Sequence, residues 1–265
     1  MIKQKSAYLW FKLNGILRQL IVRGLCRGFA NHIVVNEYPK SGGSWLSQLL
    51  SEATGLSFPR NRLPTLNSCI LQGHYLNRWN IKNPIVVWRD GRDVLVSQYY
   101  HCLFPNDRGN EYLVRKTRSI LQFSDYENIG HNLPKFMEYV FERNKYPRFS
   151  WTQFVASWCE RRNTIHVKYE DLRRDTVAEL VRLASLLGIE QLSQERCREI
   201  VFKYSFQNVT GRRPGQEDNN TFVRKGIVGD WKNWFTRESK ILFARYAGEA
   251  LNRLGYENNY DWIRR

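Results

Sequence analysis

The chain has 265 residues, of which 42% are apolar and 14% aromatic, enough for a sizeable core, and no apolar run is long enough to span a bilayer. A formal net charge of +16 favours anionic partners such as nucleotides, sulfated or phosphorylated material, nucleic acid or an acidic membrane. The five cysteines are scattered without a Cys-x-x-Cys pair, which argues against a disulfide framework or zinc site and favours a reduced, cytoplasmic protein.

The first 32 residues are predicted to form a basic amphipathic segment. Glu37 is the first acidic residue, and six lysines and arginines precede it among aliphatic and aromatic side chains. Such a helix can lie on an anionic leaflet, which would make the protein peripheral to the inner face of the membrane. A helix packed on the protein with its charges in water has the same periodicity, so the pattern leaves both interpretations open.

Residues 33–265 are predicted to form a single domain in which strands and helices alternate. Short apolar runs predict buried strands at 33–38, 69–72, 85–88 and 164–169. Helical patterns cover 45–53, 93–102, 152–161, 177–187 and 237–254, with Asp90 or Asp93 capping the second and Thr236 the last. Residues 104–135 are polar and predicted to be irregular, so 104–150 is interpreted as an insertion or lid that covers the acceptor.

This alternation predicts an α/β fold with a central parallel sheet flanked by helices. Ligands bind such sheets beyond the carboxyl ends of the strands. Four candidate residues follow predicted strand ends and are expected to line one crevice: Lys40, His74, Arg89 and Tyr169.

The turn after the first strand, residues 40–44 (Lys-Ser-Gly-Gly-Ser), predicts an anion-binding loop. Gly42 and Gly43 let the backbone curl with its N–H groups inward, and the following helix adds unpaired N–H groups and the positive end of its dipole. Lys40 supplies a charge, and Ser41 and Ser44 supply hydroxyl donors. The lysine precedes the glycines, unlike in the nucleoside-triphosphate loop, and this segment alone is equally consistent with a surface turn.

Three further segments belong with residues 38–45 to one set of motifs. They are VVWRDGRDVLVSQYY at 86–100, VKYEDL at 167–172 and RKGIVGDWKNWF at 224–235. Together, in this order and spacing, they resemble the cytosolic-type sulfotransferases that use 3′-phosphoadenosine-5′-phosphosulfate (PAPS). The resemblance runs from about residue 33 to about residue 240. It implies a P-loop-like, three-layer fold and transfer of a sulfuryl group from PAPS, with 3′-phosphoadenosine-5′-phosphate (PAP) as the product.

The resemblance also implies roles for individual residues. The 5′ phosphosulfate would lie in the loop of Lys40, Ser41, Gly42, Gly43 and Ser44, with Lys40 stabilising the departing phosphate oxygen. The 3′ phosphate would bind to Arg89, Ser97, Arg224, Lys225 and Gly226. The adenine would contact Trp45, Tyr169 and Phe206. The family's catalytic base matches His74, whose ordinary pKa suits deprotonation of an acceptor.

The acceptor is expected to be a hydroxyl or amine of a small molecule, a glycan or a lipid-linked molecule. No metal is required, because Lys40, Arg89, Arg224 and Lys225 meet the negative charge of the donor. Several positions depart from the family pattern, including Tyr204, which replaces a threonine near the adenine. Gln72 stands where cytosolic relatives usually carry a lysine, and Gly43-Ser44 replaces a common Thr-Thr.

Two other functions compete with sulfuryl transfer. An ATP-dependent small-molecule or glycan kinase would share the loop, but it needs Mg²⁺ and a carboxylate at a strand end. A non-enzymatic binder of nucleic acid or anionic membranes would account for the charge. The clustering of basic residues at particular loop positions favours the enzyme, so nucleic acid is not an expected partner.

Overall fold

The computed structural model describes residues 13–22, 32–60, 62, 67–76, 81, 83–143, 147–189 and 191–264. The chain forms two compact units. The sheet unit comprises Met1–Glu37, Gly42–Trp88 and Arg161–Tyr204, and the helical unit comprises Tyr38–Ser41, Arg89–Glu160 and Ser205–Arg265. The predicted amphipathic character of residues 1–12 and 23–31 lies outside the described residues. A single domain over 33–265 stays a prediction.

The sheet unit is built on four parallel strands, β1 (Ile33–Glu37), β2 (Ile70–Gly73), β3 (Ile85–Trp88) and β4 (Ile165–Lys168). Their order is β2-β1-β3-β4, which confirms the four predicted strands and the α/β class. β1 pairs on one side with β2 and on the other with β3. The strand order therefore reverses at β1, and in open α/β sheets ligands bind beside such a switch point.

Helices account for most of the remaining described residues. In chain order they are α1 (residues 13–22), α2 (Gly43–Thr54), α3 (Gly91–Leu103), α4 (Glu111–Ile120), α5 (Ile129–Arg143), α6 (Trp151–Trp158), α7 (Tyr169–Arg174), α8 (Thr176–Leu186), α9 (Gln194–Lys203), α10 (Phe206–Thr210) and α11 (Arg237–Arg253). Short 3₁₀ helices cover Asp230–Asn233 and Asp261–Ile263. Within this described part of the chain, no helix is both long and apolar enough to cross a membrane.

The core of the sheet unit lies between the strands and the helices α2, α8 and α9. It is formed by aliphatic side chains that alternate along each strand and recur along each helix, including Val35, Leu46, Leu50, Ile85, Val87, Leu180 and Ile200. Gly42 and Gly55 flank α2, and each has a positive φ that a residue with a Cβ adopts at a cost. The core therefore fixes α2, and with it the helix start that follows the predicted anion-binding loop.

The helical unit begins its long helices at capping side chains. Asp90 caps α3 by accepting a hydrogen bond from the Arg92 N–H, and Thr236 caps α11 by accepting from the Ser239 N–H. Both caps were predicted from the sequence and are confirmed. The unit buries an aromatic core that includes Trp151, Phe154, Trp158, Phe243 and Trp262.

The prediction of an irregular segment at 104–135 is wrong. This region contains α4 and the first half of α5, and Pro134 lies inside α5. Pro134 and the nearby glycines favoured a break. However, Leu133, Phe136 and Met137 are all buried, and tertiary burial of this stripe outweighs the local cost of the proline. Whether 104–150 covers an acceptor stays a prediction.

Candidate active site

The anion loop, residues 40–44, divides between the two units. Its first residues, Lys40 and Ser41, belong to the helical unit. The Ser41 side chain is buried, and its hydroxyl has no hydrogen-bond partner among the described residues. The Lys40 ammonium lies 3.6 Å from the centroid of the Phe222 ring, a cation–π contact that restrains the side chain. This half of the loop therefore presents a positioned cation and an unsatisfied hydroxyl.

The second half of the loop belongs to the sheet unit and depends on its two glycines. Gly42 has φ 102°, and a Cβ there would lie 2.6 Å from the Tyr169 ring. A Cβ on Gly43 would lie 2.6 Å from the carboxyl carbon of Glu37. Neither position accepts a larger residue without movement of a buried neighbour. This explains why Gly43 departs from the threonine of the family pattern.

Glu37, the last residue of β1, is the centre of a hydrogen-bonded group that the sequence did not predict. Its carboxylate accepts hydrogen bonds from the Gly43 N–H and the Gln72 side-chain amide. The Ser44 hydroxyl lies 3.0 Å from the Gln72 Oε1 atom. Gln72 therefore joins the anion loop to β2 with an uncharged side chain, at the position where the family pattern has a lysine.

His74 follows β2 and is exposed, as a general base must be. Its Nδ1 atom lies 2.9 Å from the main-chain oxygen of Glu37. Because a carbonyl oxygen can only accept, Nδ1 must carry the proton of the neutral imidazole, which leaves Nε2 with a lone pair. The imidazole is thus held in the tautomer that could take a proton through Nε2.

The predicted 3′-phosphate residues lie together within the helical unit. Arg89 donates a hydrogen bond to the Lys40 carbonyl oxygen at 3.0 Å and lies 3.9 Å from Asp93. The Arg224 guanidinium carbon lies 4.0 Å from the centroid of the Tyr100 ring. Tyr100 is on α3, one turn beyond the half-buried Ser97. Arg89 and Arg224 therefore both contact side chains of α3, the helix that carries Ser97.

Arg224 and Lys225 are paired with carboxylates. Arg224 forms ion pairs with Glu217 and Asp230. Lys225 lies 2.8 Å from Asp230 and 3.3 Å from Glu217. Burial alone would raise the pKa of Asp230, but the hydrogen bonds from Arg224 and Lys225 outweigh it and hold this pKa at about 2. Asp230 is thus ionised at neutral pH, and its charge lies between the two cations.

The predicted adenine-contacting aromatics divide between the units. In the sheet unit, the Trp45 and Tyr169 rings pack edge to face with centroids 6.1 Å apart, and the Trp45 Nε1 atom donates to the Tyr204 carbonyl oxygen at 3.0 Å. In the helical unit, a Cβ on Gly226 would lie 2.2 Å from the buried Phe206 ring. Gly226 is therefore needed where its segment crosses Phe206, which is a packing role besides the predicted phosphate contact.

His101, on α3, has a packing role. Asn106 Nδ2 lies 3.2 Å from His101 Nδ1, and the ring packs edge to face against Phe222. Burial, together with the charge of Lys40, lowers the pKa of His101 to about 3. This imidazole is therefore neutral near pH 7. Within the described residues, no group of three or more His, Cys, Asp or Glu side chains converges as a metal site.

Comparisons with known proteins identify the family of the chain. A family model described as the sulfotransferase domain matches residues 72–255. The rabbit (Oryctolagus cuniculus) amine sulfotransferase is 26% identical over 83% of this chain and 80% of the relative. Mouse (Mus musculus) sulfotransferase 2A1 is 27% identical over 93% and 95% of the two chains.

Solved structures share the fold. The crystal structure of mouse sulfotransferase SULT7A1 complexed with PAP has a TM-score of 0.61 and 19% identity, covering 92% of this chain and 90% of the other. Retinol dehydratase in complex with androsterone and the inactive cofactor PAP has a TM-score of 0.59 and 17% identity, covering 83% and 80%. The family model spans more than half of the sequence and confirms the resemblance, and this chain therefore belongs to the sulfotransferase domain family.

Proposed function

We propose that this enzyme transfers the sulfuryl group of PAPS to a hydroxyl or amine of an acceptor and releases PAP. One observation carries the proposal. Glu37 contacts both His74, through its main-chain oxygen, and the anion loop, through the Gly43 N–H. A base in a defined tautomer is thus tied to a loop suited to an anion. Membership of the sulfotransferase family and the likeness to proteins crystallised with PAP support the same reaction.

The residues of the anion loop fit the 5′ end of the donor. The buried, unpartnered hydroxyl of Ser41 requires a partner, and a phosphosulfate oxygen would supply an acceptor. Gly42 and Ser44 would contribute backbone groups of a helix N-terminus, whereas Gly43 would shape the loop, because its N–H already donates to Glu37. Arg89, Ser97, Arg224, Lys225 and Gly226 would bind the 3′ phosphate, and Trp45, Tyr169 and Phe206 would contact the adenine.

In the reaction, the bond between sulfur and the phosphate oxygen of the donor breaks as a new bond from sulfur to the acceptor forms. The acceptor proton moves to Nε2 of His74, while Nδ1 keeps its own proton and donates it in a hydrogen bond to the main-chain oxygen of Glu37. The electron pair of the broken bond remains on the phosphate of PAP, where Lys40 stabilises the charge. Positioning and charge stabilisation supply most of the rate, as in phosphoryl transfer.

The decisive test is His74→Ala, with His131→Ala as the control because His131 is also exposed but lies on α5. Turnover, measured by transfer of radiolabelled sulfate from PAPS to a panel of acceptors, should fall at least about 100-fold in His74→Ala. PAP affinity, measured by calorimetry, should stay within about threefold. Near-normal turnover in this variant would remove His74 as the base.

The same assay with ATP and Mg²⁺ as the donor tests the kinase alternative. Glu37 is a carboxylate at a strand end, the position a magnesium ligand would take, but its two oxygens already accept hydrogen bonds from Gly43 and Gln72. We expect transfer from PAPS and none from ATP. Phosphoryl transfer without sulfuryl transfer would reject the proposed function.

We propose that the acceptor is a small molecule, with a glycan or a lipid-linked molecule as the alternatives. The first relative is named for amines, and one structural neighbour holds androsterone, which sets these two chemical classes first in an acceptor panel. Of the aromatic residues in 104–150, Phe136 is fully buried and belongs to the core, whereas Tyr112 is exposed on α4. Tyr112 is therefore the better candidate to contact an acceptor.

We also propose that α1 brings the protein to anionic membranes from the cytoplasm. The helix buries two polar side chains, Asn14 and Arg18, together with Ile21 and Val22 at its end, and Arg18 donates to the carbonyl oxygens of Arg60 and Arg62. It exposes the aliphatic side chains of Leu13, Ile16 and Leu17. An apolar stripe on a segment with no acidic residue before Glu37 matches the chemistry of an anionic lipid surface.

Vesicle flotation tests this part of the proposal. Wild-type protein should float with vesicles containing phosphatidylserine and not with phosphatidylcholine alone. The double variant Ile16→Ser/Leu17→Ser should lose at least half of that binding, whereas Gln19→Ser, an exposed polar change on the same helix, should keep it. Equal flotation of all three proteins would reject α1 as the membrane contact.

A further inference from the structure

The carboxylate of Glu37 is an unusual neighbour for a loop that receives a polyanion. Its side chain is 3% exposed, and its two oxygens are used separately, one by the Gly43 N–H and one by the Gln72 amide. A buried carboxylate is costly unless its lone pairs are satisfied, and here they are. The charge is therefore built into the end of β1 and is not a chance surface feature.

This single charge sets the direction of the surrounding hydrogen bonds. A carboxylate can only accept, so Gln72 must turn its NH₂ group towards Glu37 and its Oε1 atom towards Ser44. The Ser44 hydroxyl then donates to Gln72 at 3.0 Å. Glu37 thus orients the first two residues of α2, Gly43 directly and Ser44 through Gln72.

The end of β1 also fixes the segment that carries the base. The main-chain oxygen of Glu37 accepts from His74 Nδ1 at 2.9 Å. The side chain of the preceding residue, Asn36, makes both main-chain hydrogen bonds of Tyr75: Oδ1 accepts from the Tyr75 N–H at 2.8 Å and Nδ2 donates to the Tyr75 oxygen at 3.0 Å. Asn36 and Glu37 therefore continue the contacts between β1 and β2 past the last paired residues.

We infer that Glu37 is a positioning residue that aligns the anion loop with His74 at a cost in donor affinity, an inference that rests on the proposed function. Its hydrogen bonds hold Gly43, Ser44 and Gln72 in register with the base. Its negative charge repels the phosphates of the donor and of PAP. Gln72 suits this arrangement, because its amide bridges Glu37 and Ser44 while adding no charge.

The inference predicts opposite changes in two measurements for Glu37→Gln. The variant removes the charge, so PAP should bind at least about threefold more tightly. A glutamine also presents one oxygen instead of two, so either Gly43 or Gln72 loses its acceptor, and kcat should fall at least about tenfold. A residue that served only the fold would weaken binding and turnover together.

Two variants complete the design. Glu179→Gln removes a carboxylate that pairs with Arg182 elsewhere in the sheet unit, and it should change neither PAP affinity nor kcat by more than about twofold. Gln72→Leu cuts the Ser44 bridge while leaving the contact between Glu37 and Gly43. It should lower kcat by a smaller factor, about threefold to tenfold, with PAP affinity unchanged.

The outcomes separate the inference from the function on which it rests. Turnover in the wild type with an unchanged kcat in Glu37→Gln would overturn the positioning role and leave sulfuryl transfer standing. Weaker PAP binding together with lower kcat would also overturn it. Absence of PAPS-dependent turnover in the wild type would overturn both. Thermal unfolding of each variant shows whether a lost activity reflects a lost fold.

Discussion

Two segments assigned to phosphates of the donor are built on different principles. Gly42–Ser44 uses the main chain at the start of α2, and its shape is set by contacts of Gly42 with Tyr169 and of Gly43 with Glu37. The segment that follows Val223 uses two side-chain cations, Arg224 and Lys225, and both already form ion pairs with carboxylates. The first segment has its shape because its two glycines carry no side chain. In the second segment, a phosphate would have to replace a carboxylate as the ionic partner of each cation.

The difference teaches which of the two segments is rigid and which can adjust. The Gly42 backbone is confined by the Tyr169 ring and the Gly43 N–H already donates to Glu37, so the main chain of this segment is held in place before an anion arrives. A guanidinium held by Glu217 and Asp230 must trade a carboxylate for a phosphate, so its affinity depends on the strength of the partner it leaves. Substitutions in the first segment should therefore be severe, and those in the second should act in both directions.

The largest effect is expected for Gly42→Ala. A Cβ would lie 2.6 Å from the Tyr169 ring on a backbone with φ 102°, so the loop must move. PAP affinity by calorimetry should fall about 100-fold. Gly55→Ala is the matched control, because Gly55 ends the same helix with φ 69° and nothing lies within 4 Å of its Cβ position. If both variants bind PAP equally, the main-chain cradle does not need the glycine.

Arg224→Ala tests the side-chain segment. Loss of a charged donor to a phosphate should weaken PAP binding by about 10-fold to 100-fold. Arg224→Lys keeps the charge but not the two-pronged contact, and it should recover part of the loss. The control is Arg237→Ala, at the exposed start of α11. Unchanged affinity in Arg224→Ala would exclude this side chain from the phosphate.

The pH dependence of stability tests the burial of His101 in the helical unit, with the charge of Lys40 as the second cause of its lowered pKa. The pKa of His101 is about 3 in the folded protein, below its unfolded value, so the unfolded chain binds the extra proton first. This residue therefore lowers the free energy of unfolding as pH falls below about 6.5. Between pH 7 and pH 5, urea denaturation should show about 2 kcal/mol more loss in the wild type than in His101→Gln. Parallel losses would mean that His101 titrates normally.

The smallest effect is expected for Glu217→Gln. Removing one competitor of Arg224 and Lys225 should tighten PAP binding by about threefold, because less ionic contact has to be exchanged. Glu238→Gln, an exposed change at the start of α11, should leave affinity unchanged. Weaker binding in Glu217→Gln would indicate that this carboxylate holds the cations in place for the phosphate.

The sequence predicts those parts of the fold that depend on local patterns. The four strands are short β-branched runs, and the caps Asp90 and Thr236 act within their own turns, so each was readable without neighbours. The helices α4 and α5 were not predicted. The side chains of Leu133, Phe136 and Met137 stabilise α5 by burial in the tertiary core, which a local sequence pattern does not show.

Only those site residues that belong to the family motifs could be predicted from the sequence. The family pattern names His74, Lys40 and Arg89, but it has no position for the hydrogen bonds of Glu37, which join residues that are far apart along the chain. Likewise, the pairing of Arg224 with Glu217 and Asp230 depends on how a loop folds back on itself. The sequence did contain a signal for Glu37. Gln72 in place of lysine and Gly43 in place of threonine both indicated that the surroundings of the anion loop differ from the family pattern.

Arg89 links the main chain at Lys40 to the main chain at Ile227. Its guanidinium donates to the Lys40 carbonyl oxygen and lies 3.5 Å from the Ile227 carbonyl oxygen. A 3′ phosphate that binds Arg89 would thus act on the residue that carries the leaving-group charge. Energy gained at the far end of the nucleotide is then used where the bond breaks, and a donor that lacks the 3′ phosphate should lose kcat as well as affinity.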